Sequence, residues 1–330
     1  MDKVRIALIG CGYWGPNLLR NLYAHPQVDV AWACDLLDKN LEKVKRLYPI
    51  LAVTKDIQQV REDRSVQAVV LAVPTRFHFS LAREMLLAGK HVLLEKPMTE
   101  TVAQAEELVA LAKKKRLALC VDHPFVFSES VKRIKSLIDE KALGKLFYIN
   151  STRANLGLIQ PDINVIADLA PHDFSILDYI LDKKLPTSYT TTGSMHVGKE
   201  QVECAHIHLR YDRGFCANID LSWLSPLKMR QITVVGSKRM VVYDDTHASE
   251  KIRIYDKNVT IAQRKATPFQ PFYRSGDILI PQLSVSEPLY QVVDAFLQSI
   301  RKEKVPNDGA AGLRVVKMLH DAQKALKQER

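Results

Sequence analysis

A chain of 330 residues, 47% hydrophobic and 25% charged, is too long for one small domain, suits two, and has enough apolar content for buried cores. No apolar run approaches the roughly 18 residues of a membrane span, and Val4–Ile9 is too short for a signal peptide, so the expected setting is the cytoplasm. The net charge of +10 is spread along the chain; its densest run, Lys113-Lys114-Lys115-Arg116, reads as a solvated helix end, which argues against nucleic acid or membrane partners and leaves an anionic small molecule open.

Val4–Ile9 reads as a buried strand, followed by the loop Gly10-Cys11-Gly12-Tyr13-Trp14-Gly15 and a helical pattern from Pro16. A GxGxxG alone is weak evidence, but this one leaves a strand and opens a helix. A second strand, Val28–Cys34, ends at Asp35, which lies 20 residues beyond Gly15, the spacing at which an acid meets an adenosine ribose. The glycines allow a tight turn and close backbone approach to a pyrophosphate, and the helix start offers N–H groups and a partial positive charge. A carboxylate at position 35, followed by Leu36 and Leu37 rather than arginine, favours NAD over NADP.

The alternation continues. Val66–Val73 is a strand ending in Pro74-Thr75, Phe77–Ala88 a helix, Lys90–Leu94 a strand ending in Glu95-Lys96-Pro97, Thr101–Lys114 a helix and Leu117–Val121 a strand. Such order predicts an α/β fold with a doubly wound parallel sheet whose ligands lie beyond the carboxyl strand ends, where Pro74, Thr75, His78, Glu95, Lys96 and His123 fall. Later, Pro171 is read as the first position of a helix over Phe174–Leu181, which sets Asp168 just before that helix and His172 on its first turn. Lys145–Arg153, Gln201–Tyr211, Gly214–Leu221, Gln231–Gly236 and Met240–Tyr243 read as strands.

The glycine loop, Ala72-Val73-Pro74-Thr75 with His78, Glu95-Lys96-Pro97 and the Asp168/His172 pair together resemble the Gfo/Idh/MocA oxidoreductase family over essentially the whole chain, through Glu287-Pro288-Leu289 and Pro306–Val316. The resemblance implies an N-terminal Rossmann domain, residues 1–122, and a C-terminal α+β domain, residues 123–330. The second carries a large, mainly antiparallel open sheet through which a homodimer or homotetramer would form. It further implies a sugar or nucleotide-sugar substrate and hydride transfer to NAD. The implied cofactor residues are Gly10, Gly12, Tyr13, Trp14, Gly15, Asp35, Pro74, Thr75, His78, Glu95, Lys96 and His123. Lys96 would touch the hydroxyl being oxidised and His172 would take its proton, with Asp168 positioning substrate or tuning the histidine. Which of Lys96 and His172 takes the proton stays open, because many relatives carry glycine where Ala170 stands.

The Gly12–Asn17 and Asn150–Gly157 segments look most like members that oxidise C3 of UDP-N-acetylglucosamine-type sugars; free-sugar or inositol oxidation and a catalytically silent sugar or NAD sensor are the alternatives. Arg153 and Asn155 are substrate candidates, Arg153 as a partner for a diphosphate or sugar carboxylate. Asp173 is a candidate helix cap. Cys204, His206 and His208 alternate along one strand and share a face; without an evident fourth ligand they read as a packed or paired sheet face, and no metal is expected. The five cysteines, Cys11, Cys34, Cys120, Cys204 and Cys216, contain no CxxC and read as buried free thiols.

Overall fold

The computed structural model describes residues 3–159, 163–198, 201–261, 271–284 and 286–329. The chain divides into two units, Met1–Ser128 with Ser286–Lys317, and Glu129–Val285 with Met318–Arg330.

In the first unit β1 (Val4–Ile9), β2 (Val28–Cys34), β3 (Ala52–Thr54), β4 (Ala68–Leu71), β5 (His91–Leu94) and β6 (Leu119–Val121) form a six-stranded, wholly parallel sheet in the order β3-β2-β1-β4-β5-β6. The order reverses at β1 and β4, which opens a crevice at their carboxyl ends. Helices α1 (Gly15–Ala24), α2 (Asp38–Leu47), α3 (Ile57–Glu62), α4 (His78–Leu87) and α5 (Val102–Lys115) are the crossovers. Two begin as their sequence dictates. Asp56 caps α3 by accepting the Gln58 N–H at 2.9 Å, and Thr101 and Gln104 form a reciprocal capping box at the start of α5. The sheet is apolar on both faces, β4 being buried along its whole length.

The second unit holds α6 (Glu129–Asp139), β7 (Leu146–Leu156), α7 (Val165–Ile180), β8 (Ser188–Ser194), β9 (Cys204–Arg210), β10 (Cys216–Ser222), β11 (Leu224–Gly236), β12 (Met240–Asp244), β13 (Ile252–Ile261) and β14 (Pro271–Leu279). The chain then forms α8 (Pro288–Ile300), α9 (Gly309–Lys324) and β15 (Leu326–Glu329). The nine-stranded sheet runs β14-β13-β12-β11-β7-β10-β9-β8-β15, antiparallel except at β7/β10 and β8/β15. Period-two alternation sorts its faces: Ala205, Ile207, Leu209, Ala217, Ile219 and Leu221 are buried, while their neighbours in sequence point to the open side.

Residues 123–128 and 286–317 therefore belong with the first unit rather than with the C-terminal half. The physical reason is the edge of the parallel sheet. Asn307 covers β6, its carbonyl accepting the Val121 N–H and its Nδ2 donating to the Val121 carbonyl, both at 2.9 Å. Arg20 and Asn21 of α1 bind the Glu287 carboxylate that precedes α8. The strands expected at β4, β5 and β6 overrun the observed ends by one or two residues.

Helix α7 differs more. It starts at Val165, capped by Asn164, whose Oδ1 accepts the Ala167 N–H at 2.9 Å, so Pro171 sits inside the helix and Asp168 in its first turn. An interior proline costs about 3 kcal/mol. Here Val165, Ile166, Ala170, Phe174, Leu177 and Ile180 are buried along one helix, and that apolar surface offsets the break. Among the described residues no helix is long and apolar enough to cross a membrane. Cys11, Cys34 and Cys120 are buried free thiols as expected, but Cys204 and Cys216 are only half-buried, on the open side of the second sheet.

Candidate active site

The loop after β1 has the shape that its glycines require. Gly10 has φ +96°, and a Cβ there would lie 2.3 Å from the Ala72 carbonyl oxygen; a Cβ on Gly15 would lie 2.2 Å from the Gly10 oxygen. Both glycines are obligatory for packing. Gly12 is different: a Cβ on it would meet nothing within 4 Å, so open space lies beside its backbone. That is where the fingerprint admits a pyrophosphate. Helix α1 has no side-chain cap and no acid in its first turn, leaving its positive end for an anion.

Asp35 follows β2. Its Oδ2 accepts the Cys11 N–H at 2.7 Å and Asn40 Nδ2 at 3.1 Å, and its Oδ1 accepts the Leu37 N–H at 2.8 Å. The carboxylate thus fixes the glycine loop, and with about four lone-pair sites it keeps capacity for a ribose hydroxyl. Tyr13 is 88% exposed and Trp14 37%, both at the loop surface. Burial pushes the Cys11 thiol up to about 12 and Cys34 to about 11, which keeps both thiols beside the loop unreactive.

The next strand ends supply Pro74 and Thr75, which enter a 3-10 turn at Thr75–Phe77, and His78, the first residue of α4. His78 is wholly buried; its Nδ1 meets the Pro97 carbonyl at 2.9 Å and its Nε2 the Val73 carbonyl at 2.8 Å. Its expected role at the cofactor is corrected by this geometry: both ring nitrogens face backbone carbonyls, one of which takes the single N–H of the neutral ring, and neither nitrogen is turned toward a ligand. Glu95 and Lys96 follow β5. The Lys96 N–H donates to Glu95 Oε2 at 3.1 Å, and the Lys96–Pro97 peptide is cis.

After β6 come Asp122 and His123, both buried. Trp14 Nε1 donates to Asp122 Oδ2 at 3.1 Å, tying the glycine loop to this strand end. Burial, then the neighbouring Asp122, holds the Glu95 carboxyl well above the usual carboxylate range. Burial, then the Lys96 charge, pushes His123 down to about 3, so its ring is neutral at neutral pH. Neither His123 nitrogen has a hydrogen-bonding partner among the described residues. Buried nitrogens of this kind suit a polar ligand such as a carboxamide. The open cradle at Gly12, the uncapped α1 and the His123 ring together fit a dinucleotide. Sequence reasoning misses Asp122, whose one signal is an acid directly after a buried strand.

In the second unit Asp168 and His172 stand four residues apart on α7, hence on one helix face. The indole of the buried Trp223 donates to Asp168 Oδ2 at 3.1 Å, and the His172 carbonyl accepts the Ser175 hydroxyl at 2.8 Å. Arg153 departs from expectation. It is 5% exposed, with Nε 2.9 Å from Asp173 Oδ2 and Nη2 3.2 Å from Asp173 Oδ1, while the Ser151 hydroxyl donates to Oδ1 at 2.8 Å. The guanidinium is committed to a buried ion pair, which corrects its expected role as a diphosphate partner. Asp173, expected as a possible cap, is the other half of that pair. Asn155 is half-buried near the end of β7, its amide beside Gly157. On the open face, Cys204 contacts Ser222, His206 pairs with Asp220 and His208 with Asn218, each with the residue directly opposite on β10.

Two family models match in succession: the oxidoreductase family with an NAD-binding Rossmann fold over residues 4–123, and the GFO/IDH/MocA C-terminal domain over residues 131–242. The chain belongs to the Gfo/Idh/MocA oxidoreductase family, and its first unit is an NAD-binding Rossmann domain. Among its relatives is the uncharacterized oxidoreductase YdgJ of Escherichia coli strain K12, 30% identical over 224 residues, 64% of this chain and 62% of YdgJ. The match therefore spans less than two thirds of that relative's length. The UDP-N-acetylglucosamine 3-dehydrogenase of Acidithiobacillus ferrooxidans is 25% identical over 325 residues, covering 96% of this chain and 95% of that protein. The crystal structure of an oxidoreductase from Magnetospirillum magnetotacticum MS-1 superposes with a TM-score of 0.83 at 25% identity, over 97% of this chain and 99% of that one.

Proposed function

We propose that this chain is an NAD-dependent dehydrogenase that oxidises a secondary hydroxyl of a sugar, with C3 of a UDP-N-acetylglucosamine-type nucleotide sugar as the substrate position. In the balanced reaction one secondary alcohol and one oxidised NAD give one ketone, one NADH and one proton, the bound cofactor accepting the hydride. The Gly10–Gly15 loop and the start of α1 bind the pyrophosphate, and Asp35 accepts from the adenosine ribose and repels a 2′-phosphate. The Lys96 ammonium orients the substrate hydroxyl and stabilises negative charge on its oxygen. The hydroxyl proton goes to the His172 imidazole, or to Lys96 Nζ in the alternative in which the lysine enters the step as the neutral amine, with Asp168 orienting the substrate or the histidine. Pro74, Thr75 and the neutral His123 border the nicotinamide end.

The observation that carries this reading is Lys96 itself: it ends β5 on the same carboxyl edge of the parallel sheet as the glycine loop, the edge at which ligands of such sheets bind. The nucleotide-sugar specificity is supported by the near full-length relation to a UDP-N-acetylglucosamine 3-dehydrogenase. One observation favours a second reading. Arg153 is paired with Asp173, so the diphosphate loses the cation assigned to it, as suits a free-sugar or inositol dehydrogenase. Initial rates of NADH formation with UDP-N-acetylglucosamine, glucose and myo-inositol separate the two. The proposal expects kcat/KM at least about tenfold higher for the nucleotide sugar, about 1.4 kcal/mol of discrimination; a preference for either free polyol overturns that specificity. NAD binding without turnover on a broad sugar panel would instead mark a sensor. A homodimer or homotetramer through the open polar face of the nine-stranded sheet belongs to the same proposal, and sedimentation of a monomer would remove it.

A further inference from the structure

Asp122 and Glu95 leave adjacent parallel strands. The Asp122 N–H donates to the Leu94 carbonyl at 2.7 Å, which brings the two acids to the same level at the sheet edge. Each acid is among the groups that act on the other. Glu95 Oε1 and Asp122 Oδ1 are both shut off from solvent, and neither has a donor among the described residues. Their other oxygens are engaged, Glu95 Oε2 by the Lys96 N–H and Asp122 Oδ2 by the Trp14 indole. Two ionised carboxylates at neighbouring strand ends in a dry site repel each other, and a shared proton relieves that repulsion.

We propose that Glu95 and Asp122 form an acid pair sharing a single proton, and that Asp122 is a positioning residue. Through this pair the glycine loop, held by Trp14, and the Lys96 strand end, held by Glu95, are fixed to one another. This inference rests on the reading of that edge as the NAD and catalytic-lysine site. The charges around the pair are few: Lys96 is the cation that acts on both acids, and the neighbouring His123 is neutral. One shared proton leaves the pair at a single negative charge, which balances the Lys96 ammonium. Burial raises both acids, in agreement with a retained proton. The indole of Trp14, the amide of Lys96 and the Leu94 carbonyl then meet a network in which each buried oxygen is satisfied.

The test uses the full chain and has three readouts. Infrared difference spectra of wild type against Glu95→Gln and Asp122→Asn should show one protonated-carboxyl C=O band at neutral pH, lost in both variants, since an amide partner leaves the remaining acid ionised. Absence of that band in the wild type, or its survival in both variants, overturns the shared proton. For the positioning role, Asp122→Asn keeps an acceptor for Trp14 and a donor to Glu95, whereas Asp122→Leu keeps neither. NAD binding by calorimetry and kcat should both be worse in Asp122→Leu than in Asp122→Asn, kcat by about tenfold or more, as expected for a misplaced reacting group. Equal values in the two variants overturn the role. Should Asp122→Leu not fold, Glu95→Gln against Asp122→Asn in the infrared decides the pair. The spectra and the NAD titration need no substrate, so a wrong sugar assignment leaves them readable.

Discussion

Asp35 takes three hydrogen bonds from its own surroundings, including the Cys11 amide of the glycine loop, and in the proposed function it also presents charge to the adenosine ribose. Replacing it with asparagine removes the charge and sets an amide against donors that it already accepts. The expected result is NAD affinity reduced by about 1.5–3 kcal/mol, roughly 10–150-fold, with a smaller gap between NAD and NADP. Calorimetric titration of both cofactors checks this, and an unchanged ratio would remove Asp35 from cofactor selection. Asp35 and Lys96 are legible in the sequence because each follows a buried, β-branched or leucine-rich strand at a site where topology puts ligands. His78 and Asp122 lie at the same edge, yet the sequence misleads about the first and is silent about the second. Strand position says that a side chain is near the edge; only the three-dimensional surroundings say whether it turns outward, or inward to a pair of carbonyls as His78 does.

At the scale of an element, the Arg153–Asp173 pair joins the central strand β7 to α7. Removing one partner of a buried pair leaves an uncompensated charge, so Arg153→Met should destabilise the fold by about 3–5 kcal/mol. Chemical denaturation of that variant and of the double variant Arg153→Met/Asp173→Leu checks the claim. The double variant should be more stable than the single one, because the orphaned carboxylate is gone. A phosphate-binding Arg153 would show the opposite pattern, with stability kept and KM raised. The clue is present in the chain: Ile149, Ser151 and Arg153 share the parity that faces the core. A charged residue at an inward position resembles a ligand because sequence alone does not reveal the acid waiting on α7. The start of α7 is misleading for a related reason, since Pro171 signals a helix start locally while the packed apolar face of Val165–Ile180 decides globally.

At the scale of the whole molecule, pH dependence follows from buried imidazoles. Burial lowers His25, His78, His91 and His123. Below about pH 6.5 the unfolded chain binds protons that the native rings refuse, so stability rises with pH and falls on acidification. Glu95 and Asp122 are raised and act in the other sense, their contribution being lost as pH rises through their native values. The histidines outnumber the one proton of the acid pair. The melting temperature should therefore drop between about pH 6.5 and pH 5, and His123→Asn should flatten that drop; a flat wild-type profile would contradict the assignment. The α/β architecture is legible in five of the six parallel strands, where strands and helices alternate with hydrophobic period; the three-residue edge strand β3 and the helices α2 and α3 beside it are not read from the sequence. The architecture is less legible in the second sheet, where β8, β13 and β14 are half-exposed or exposed over much of their length.

In the proposed reaction Lys96 acts on the substrate hydroxyl while the glycine loop and Asp35 hold NAD. The most direct measurement is the turnover of Lys96→Ala with a nucleotide-sugar substrate, taken together with its NAD dissociation constant. NAD binding should stay within about threefold of wild type and kcat should fall by about 10²–10⁴, the range of a positioned acid–base group. Turnover near the wild-type rate in that variant would contradict the role of Lys96.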